Sequence, residues 1–203
     1  MLQLYYTPGA CSLASHIALR ESGMEFGLIR VDLATGKTEQ GEDFRAINAK
    51  GYVPALHLED GQLLTENQVI LQYLADRQPE SGLAPAAGAL PRYRLMEWLA
   101  FIATELHKGF GPLWNPATPE ATRQDTLTRL AKRFDFVEAA LNQRQGLTDA
   151  DFSIADAYLF TVLGWAPLHH IDLSPWPALQ AFQQRVASRP AVRAALQAEG
   201  LVT

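Results

Sequence analysis

Short apolar runs alternate with stretches of helical spacing in the first part of the chain. Residues 2–6 form an apolar and aromatic run that predicts a strand, which Pro8-Gly9 ends. Apolar spacing then predicts a helix over 12–21, a strand over 26–31 and a short helix over 42–47. A strand–helix–strand unit of this kind predicts two parallel strands joined by a right-handed crossover.

A β-hairpin is predicted next. Asp60-Gly61 suits a tight turn with positive φ, and it separates the apolar runs 55–58 and 62–64. Thr65 is predicted to cap the helix that follows, whose buried stripe consists of Val69, Ile70, Tyr73 and Leu74. The predicted order is therefore βαβαββα, and because a hairpin adds antiparallel strands, we expect a mixed four-stranded sheet.

A linker and an all-helical region follow the hairpin and its helix. Residues 79–91 hold three Pro and two Gly, a composition that propagates neither a helix nor a central strand. We therefore predict an α/β domain at 1–78, a linker at 79–90 and an all-α domain at 91–203. The helices predicted there span 92–107, 119–141, 154–163, 177–187 and 190–197. The third of them is apolar nearly all round, which predicts a central position, and Ser153 to Asp156 has the pattern of a capping box at its start.

Composition and charge exclude several function classes. The 203 residues carry 17 Lys and Arg against 22 Asp and Glu, a net charge of −5, without the basic cluster of a nucleic-acid-binding surface. The single Cys excludes an intramolecular disulfide and a multi-cysteine metal site, and the adjacent His169 and His170 lack the spacing of a zinc pair. The start lacks the pattern of a signal peptide, and the longest apolar run is too short for a bilayer. We expect a soluble, cytoplasmic protein that binds neither metal nor membrane.

Cys11 is the first candidate for chemistry. It follows a predicted strand and turn and directly precedes a predicted helix, whose N–H groups and positive potential stabilise a thiolate. A buried, inert thiol is the other interpretation, and the sequence lacks the second Cys of a dithiol redox motif. Ser12 offers a hydroxyl that either caps the helix or donates to a nearby thiolate.

Two further segments of the first domain suit a peptide ligand. A cis bond between Val53 and Pro54 would present the backbone of Val53 to such a ligand, although Pro54 also suits the simple start of a strand. Glu66 and Asn67 stand at a predicted helix start, where a carboxylate binds an ammonium group and backbone N–H groups bind a carboxylate. Together these match the two charges of an α-amino acid, while a carboxylate there also serves as a plain dipole partner.

In the second domain, Thr104 lies one turn before His107 and Lys108. His107 and Lys108 also suit a helix C-terminus, where positive groups interact favourably with the helix dipole without any catalytic role. Aromatic residues near the flexible segment 109–112, among them Phe110, Trp114 and Trp165, are candidates either for the core or for an apolar pocket.

Several motifs together resemble a bacterial beta-class glutathione transferase, namely segments 4–13, 51–56, 64–66, 105–110 and 153–160. The likeness covers nearly the whole chain, and the Cys11-Ser12 pair and the Glu-Leu-His-Lys segment are specific to that class. The resemblance implies a thioredoxin-like domain followed by an all-helical domain. It also implies a homodimer that takes glutathione as co-substrate on the first domain.

The resemblance also implies a role for each matching residue. Cys11 contacts the glutathione sulfur or forms a mixed disulfide with it, Val53 with cis-Pro54 clamps the cysteinyl unit, and Glu66 with Asn67 holds the γ-glutamyl group. Thr104, His107 and Lys108 lie near the ligand, with Thr104 reaching the partner subunit's site and His107 a proton acceptor. Cys11, Ser12 and His107 are the candidate donors to the sulfur, so His107 is expected either to donate to it or to accept its proton. Tyr6 is a further candidate donor. The pocket for the second substrate is expected around Ala10, Phe110, Trp114 and Trp165.

The chain departs from the family pattern at three positions. Gly36 stands where the family often has Lys, so Lys37 is the expected substitute for that contact. Ala100 replaces an Asn, and Asn67 replaces a small residue. The expected function is conjugation of reduced glutathione to hydrophobic electrophiles, as in detoxification. The alternatives are thiol–disulfide exchange or peroxide reduction through Cys11, and a non-catalytic binding protein of the same fold.

Overall fold

The computed structural model describes residues 1–142 and 144–202, which form two compact units. The first unit combines Met1–Ala84 with the described chain from Ala187 onward, and the second is Pro85–Val186. We had predicted boundaries at 78 and 91 and assigned the last helix to the helical domain. The structure places that helix in the first unit, because it packs along the first helix of the chain.

The first unit is built on one mixed sheet with the strand order β3-β2-β1-β4-β5. β1 pairs in parallel with β2, with Leu4 opposite Leu28, and the remaining pairs are antiparallel. The sheet has five strands instead of the predicted four, because the two residues of β3 are too few to show an alternating pattern. The strands are β1 (Leu2–Tyr6), β2 (Phe26–Asp32), β3 (Lys37–Thr38), β4 (Ala55–His57) and β5 (Leu63–Thr65).

Three helices of the first unit follow the predicted order: α1 (Ser12–Glu21), α2 (Phe44–Ile47) and α3 (Asn67–Arg77). Tyr5 packs against Phe44 of α2, whereas Tyr6 faces His16 of α1, because neighbouring residues of a strand point to opposite faces. The prediction that Thr65 caps α3 is wrong. Thr65 is the last residue of β5, and Glu66 takes the capping position with a φ of 71°.

The last helix, α9 (Pro190–Ala198), is tied to α1 by buried polar contacts. The carboxylate of Glu199 accepts a hydrogen bond from the backbone N–H of Gly9 at 2.9 Å and lies 2.8 Å from Nδ1 of His16. The side chains of His16 and Glu199 are fully buried. Arg189 adds a two-pronged ion pair to Glu21, at 2.6 and 2.9 Å.

The described part of the second unit is helical. Its helices are α4 (Leu90–Phe101), α5 (Gly111–Trp114), α6 (Glu120–Leu141), α7 (Ile154–Leu163) and α8 (Pro177–Ala187), the last of which ends at the boundary. Where we predicted one regular helix to 107, α4 passes into a π-helical segment, Ile102–His107, and a 3₁₀ turn, Lys108–Phe110. A π-helical turn contains an additional residue, which the apolar spacing alone does not reveal. None of the helices in the described residues is both long and apolar enough to span a membrane.

Two predictions about α7 are confirmed. All ten of its residues are buried, as expected for a central helix. Ser153 and Asp156 form the capping box, in which Asp156 accepts from the backbone N–H and hydroxyl of Ser153, at 2.8 and 2.6 Å. The same carboxylate also accepts from the backbone N–H of Leu147 at 2.8 Å, so it joins the preceding loop to the helix.

Asp156→Ala is expected to lower the free energy of unfolding by about 2–4 kcal/mol, because it removes the cap and leaves buried N–H groups without an acceptor. Urea unfolding followed by circular dichroism measures the change. Asp149→Ala is the control, since its side chain is 90% exposed and forms a surface ion pair with Arg144. That control should change stability by less than about 0.5 kcal/mol. Equal effects of the two substitutions would contradict the structural role of the buried carboxylate.

Candidate functional site

Cys11 lies partly buried at the N-terminal end of α1, as predicted. Its Sγ donates a hydrogen bond to the backbone carbonyl of Val53 at 3.2 Å, so the fold joins two segments that are 42 residues apart in sequence. The turn that delivers Cys11 needs a positive φ at Gly9, 71°, and Glu199 holds the N–H of that glycine. The position of the thiol is therefore set by the turn and by the last helix.

The segment around Val53 is well supported. The expected cis bond between Val53 and Pro54 is present. Val53 is buried in the cluster that contains Tyr5 and Phe44, and Ala10 packs against the same cluster. The amide of Asn48 donates to the carbonyl of the preceding residue, Tyr52, at 2.8 Å. The backbone of Val53 and the thiol of Cys11 thus lie next to each other in the first unit.

Ser12 is fully buried and closes the turn before α1. Its hydroxyl donates to the carbonyl of Thr7 at 3.3 Å and accepts from the N–H of the same residue at 3.2 Å. The hydroxyl proton is therefore engaged inside the turn. A role of Ser12 in catalysis stays a prediction, and in this geometry it acts by shaping the turn that carries Cys11.

Glu66 and Asn67 form a polar pair at the start of α3. Glu66 is exposed with a φ of 71°, a backbone conformation that is rare for a residue other than glycine and is often found at binding sites. Its Oε1 lies 2.7 Å from Nζ of Lys50. Asn67 is buried, with only 7% exposed, and Ser15 donates to its Oδ1 at 2.7 Å.

The other side of the Asn67 amide has no hydrogen-bond partner in the part of the chain that the structure describes. Its Nδ2 is buried without a hydrogen bond to any of residues 1–142 and 144–202. A buried donor without an acceptor is costly, and the N-terminus of a helix favours anions. An anionic ligand group would satisfy this donor, and the neighbouring Glu66 carboxylate suits an ammonium group. Lys50 contacts Glu66 and Ser15 contacts Asn67. Neither residue belongs to a recognisable sequence motif, so neither was predicted.

Tyr6 and Lys37, the other glutathione contacts predicted in the first unit, lie on different strands of the sheet. Tyr6 faces His16, and burial, followed by the charges of Glu199 and Glu39, raises the pKa of Tyr6. Lys37 is exposed in β3, which lies two strands from β1 on the side away from β4. Tyr6 directly follows Tyr5, which pairs with Ala55 of β4, whereas Lys37 is separated from β4 by β2 and β1. A contact of either residue with glutathione stays a prediction.

His107 is the centre of a second group of predicted residues, all in the second unit. Its Nδ1 lies 2.7 Å from the hydroxyl of Tyr158, and its ring packs edge-on against Trp165 with centroids 4.9 Å apart. Burial, followed by the positive charge of Lys108, lowers the pKa of His107 to about 4. Thr104 is exposed and donates to the carbonyl of Ala100 at 3.0 Å.

The predicted aromatic residues of the second unit form one cluster. Trp165 packs against Phe110 and Trp114, with centroids 5.7 and 5.6 Å apart. Phe110 is fully buried, whereas Trp114 is 49% exposed, so the cluster runs from the core to the surface. His169 also belongs to it, with its ring centroid 4.3 Å from that of Trp114. Its place beside His170 in the sequence carries no signal of this aromatic contact. No group of three or more His, Cys, Asp or Glu in the described residues is arranged to hold a metal.

Comparison with known proteins supports this description. The N-terminal domain model of glutathione S-transferase matches residues 9–77, and the C-terminal domain model matches residues 101–190. Glutathione S-transferase GstA of Escherichia coli O157:H7 is 50% identical over 98% of this chain and 100% of its own length.

Two solved structures are similar over 98% of this chain and 100% of their own. One is a sphingomonad glutathione S-transferase complexed with glutathione, 48% identical with a TM-score of 0.95. The other is the bacterial beta-class glutathione S-transferase of Sphingomonas chungbukensis, 46% identical with a TM-score of 0.95.

A thioredoxin-like sheet with a cysteine at the start of its first helix, followed by a separate helical unit, defines a two-domain protein of the thioredoxin-like class. The chain belongs to the glutathione S-transferase family. The predicted resemblance is therefore confirmed, and structures of the bacterial beta class are among its close structural neighbours.

His107 should make the stability of the protein depend on pH. Because the pKa of His107 in the folded protein, about 4, lies below its ordinary value of 6.5, the unfolded chain takes up the proton first as the pH falls. The stabilisation from neutral His107 is thus complete above pH 6.5 and is lost down to about pH 4. Between pH 7 and 4.5, wild type should lose about 1–3 kcal/mol more than His107→Asn in urea unfolding.

His170→Asn is the control for this experiment. His170 is exposed and has a φ of 58°, which Asn accommodates, so the substitution removes an imidazole without disturbing the backbone. It should retain the pH dependence of wild type. The same loss of stability in His107→Asn as in wild type would contradict the assignment.

Proposed function

We propose that this protein transfers reduced glutathione to hydrophobic electrophiles. The observation that carries the proposal is the polar pair Glu66 and Asn67 beside the Cys11–Val53 contact. Ser15, which holds Asn67, lies one helical turn after Cys11 on α1. The backbones of Cys11 and Ser15 are therefore about 6 Å apart along the axis of α1, and Ser15 in turn contacts the start of α3.

The chemistry of the ligand fits this order of groups. The α-carboxylate of the γ-glutamyl unit would accept from Nδ2 of Asn67 and from the first turn of α3, and its ammonium would replace Lys50 at Glu66. The backbone of Val53 would bind the cysteinyl unit, which places the glutathione sulfur near Cys11. The glycyl end and its possible contact with Lys37 rest on the family resemblance alone, as does a contact with Tyr6.

The reaction requires a glutathione thiolate at neutral pH. Lowering the thiol pKa by two units from its ordinary value of about 8.5 needs about 2.7 kcal/mol of thiolate stabilisation. The S–H of Cys11, which donates to the carbonyl of Val53, is the donor that we propose for this sulfur. The thiolate then attacks an electrophilic carbon, an S–C bond forms, and the leaving group departs with its electron pair.

The remaining parts of the proposal are supported less directly. For Thr104, His107 and Lys108 as glutathione contacts, and for Ala10, Phe110, Trp114 and Trp165 around the electrophile, the support is the family resemblance. A homodimer is supported by exposed apolar side chains on both units: Tyr52 and Val69 on the first, and Leu90, Tyr93 and Met96 on the second. A cytoplasmic location and a role in detoxification follow from the same family assignment.

Asn67→Asp is expected to weaken glutathione binding at least tenfold, because it places a buried negative charge where the ligand carboxylate would bind. Isothermal titration calorimetry measures the dissociation constant. Asn67→Ser keeps a small donor and should bind more tightly than Asn67→Asp. Gln68→Glu adds the same charge at the next position of α3 and should change affinity less than threefold, about 0.6 kcal/mol.

The calorimetry also separates the proposal from a non-catalytic binding role. Equal affinities of Asn67→Asp and Gln68→Glu would contradict the proposed carboxylate site. If wild type showed no binding at millimolar glutathione, the transferase proposal would fail, and a binding protein that recognises something else would be favoured.

Thiol–disulfide exchange, or peroxide reduction, through Cys11 is the second candidate function. It is favoured by the partly buried position of this only thiol beside backbone that suits a peptide. In exchange, the Cys11 thiolate attacks a glutathione mixed disulfide, releases the substrate thiol, and a second glutathione resolves the new disulfide.

Cys11→Ala separates the two activities. We expect it to keep at least a tenth of the conjugation of a halonitroarene, since the attacking sulfur belongs to glutathione, and to lose reduction of a glutathione mixed disulfide. Cys11→Ser, which restores a hydroxyl donor, should recover part of any lost conjugation rate. If both activities survive in Cys11→Ala, the thiol is structural.

A further inference from the structure

Tyr158 contacts His107 from α7, the helix of the second unit whose ten residues are all buried. Its side chain is 2% exposed, and its hydroxyl lies 2.7 Å from Nδ1 of His107. The capping box at Asp156 lies two residues before it, and every residue of α7 is buried. His107 ends the π-helical segment, a type of helix that is common at functional sites. The imidazole is therefore oriented by a hydroxyl on a rigid support.

The direction of this hydrogen bond decides where His107 carries its proton. A neutral imidazole has one N–H donor and one acceptor nitrogen. A phenol is the more acidic of the two partners and the imidazole nitrogen the more basic, so the favoured arrangement has the Tyr158 hydroxyl donating to Nδ1. The imidazole proton is then on Nε2, which has no hydrogen-bond partner among residues 1–142 and 144–202.

The charged groups near His107 are Lys108, whose positive charge favours the neutral imidazole, and Glu105, whose negative charge is paired with Arg133. Lys108, on the following turn, opposes a second positive charge. Glu105, on the same π-helical segment, pairs with Arg133 of α6 at 2.7 Å. From α7, the group that faces the ring is the uncharged Tyr158 hydroxyl.

We propose that Tyr158 is a positioning residue that fixes His107 in the neutral tautomer with its proton on Nε2. Of the two roles expected for His107 from the sequence, proton acceptor and hydrogen-bond donor, this tautomer leaves the donor role at Nε2. Only the identity of the ligand rests on the proposed function: the acceptor of the Nε2 proton would be the negatively charged sulfur of glutathione. Fixing the tautomer in advance spares the donor from reorienting as that charge develops.

Nuclear magnetic resonance of ¹⁵N-histidine-labelled protein tests the tautomer without any ligand. The protein has five histidines, and the signal missing from His107→Asn identifies His107. Wild type should show a protonated Nε2 and an unprotonated Nδ1 at pH 7. Tyr158→Phe should change this to a mixture of the two tautomers or to the Nδ1-protonated form.

Thr161→Val is the matched control, because it removes a buried hydroxyl from the same helix that donates only to the carbonyl of Ala157, at 2.9 Å. It should keep the wild-type tautomer. A protonated Nδ1 in wild type would overturn the proposal, as would an unchanged His107 spectrum in Tyr158→Phe.

Kinetics provide a second readout. In Tyr158→Phe, kcat/KM for glutathione conjugation should fall roughly three- to tenfold, the size of one hydrogen bond, and its pH profile should shift towards higher pH because the thiolate is less stabilised. Thr161→Val should keep the wild-type profile. A loss of rate with no shift of the profile would overturn the donor role. Failure of the proposed function is recognised separately, as absence of glutathione binding by a wild type whose tautomer is still the one expected.

Discussion

The buried carboxylate of Glu199 is the contact on which the geometry of the first unit depends. It satisfies the N–H of Gly9 in the turn before α1 and lies against His16 within α1, so one side chain fixes both the turn and the helix that follows. Cys11 lies between these two points in the sequence. Because a buried carboxylate without partners would be highly unfavourable, α9 can occupy its place only when the turn is correctly formed. The position of the Cys11 thiol and the packing of α9 therefore depend on each other.

The candidate residues of the first unit and those of the second unit differ in how completely the protein satisfies their polar atoms. In the first unit, the polar atoms that suit a ligand are incompletely satisfied by the protein, as at Nδ2 of Asn67, or held by an exposed ion pair, as at Glu66 and Lys50. In the second unit, His107 is already oriented by Tyr158 and surrounded by aromatic rings. The first arrangement suits recognition of a charged ligand, whereas the second suits a single polar group that works in apolar surroundings.

Local patterns predicted much of the fold, and contacts between distant residues account for most of what they missed. The pair Asp60-Gly61 predicted the hairpin, and the segment from Ser153 to Asp156 predicted the capping box. Both predictions were possible because the residues that specify these features are close in sequence. The bond from Gly9 to Glu199 joins residues 190 positions apart, and no periodicity indicates it. The positive φ of Glu66 and the hydroxyl of Ser12 turned towards Thr7 likewise depend on tertiary packing. The residues of the candidate site were therefore identified mainly by resemblance, and their partners by the structure.

The division of the first unit between both ends of the chain has a consequence for biosynthesis. Residues 1–84 leave the ribosome first, but the helix that completes their unit follows only after the 102 residues of Pro85–Val186. Domains commonly fold as they are synthesised, starting from the N-terminus. Here the nascent first unit lacks Glu199 and α9 during that whole interval, so the Glu199 carboxylate cannot yet accept from the N–H of Gly9 and the face of α1 that packs on α9 stays uncovered. The first unit is thus completed only after the whole helical unit has been synthesised, and Cys11 reaches its final setting only once Glu199 is available.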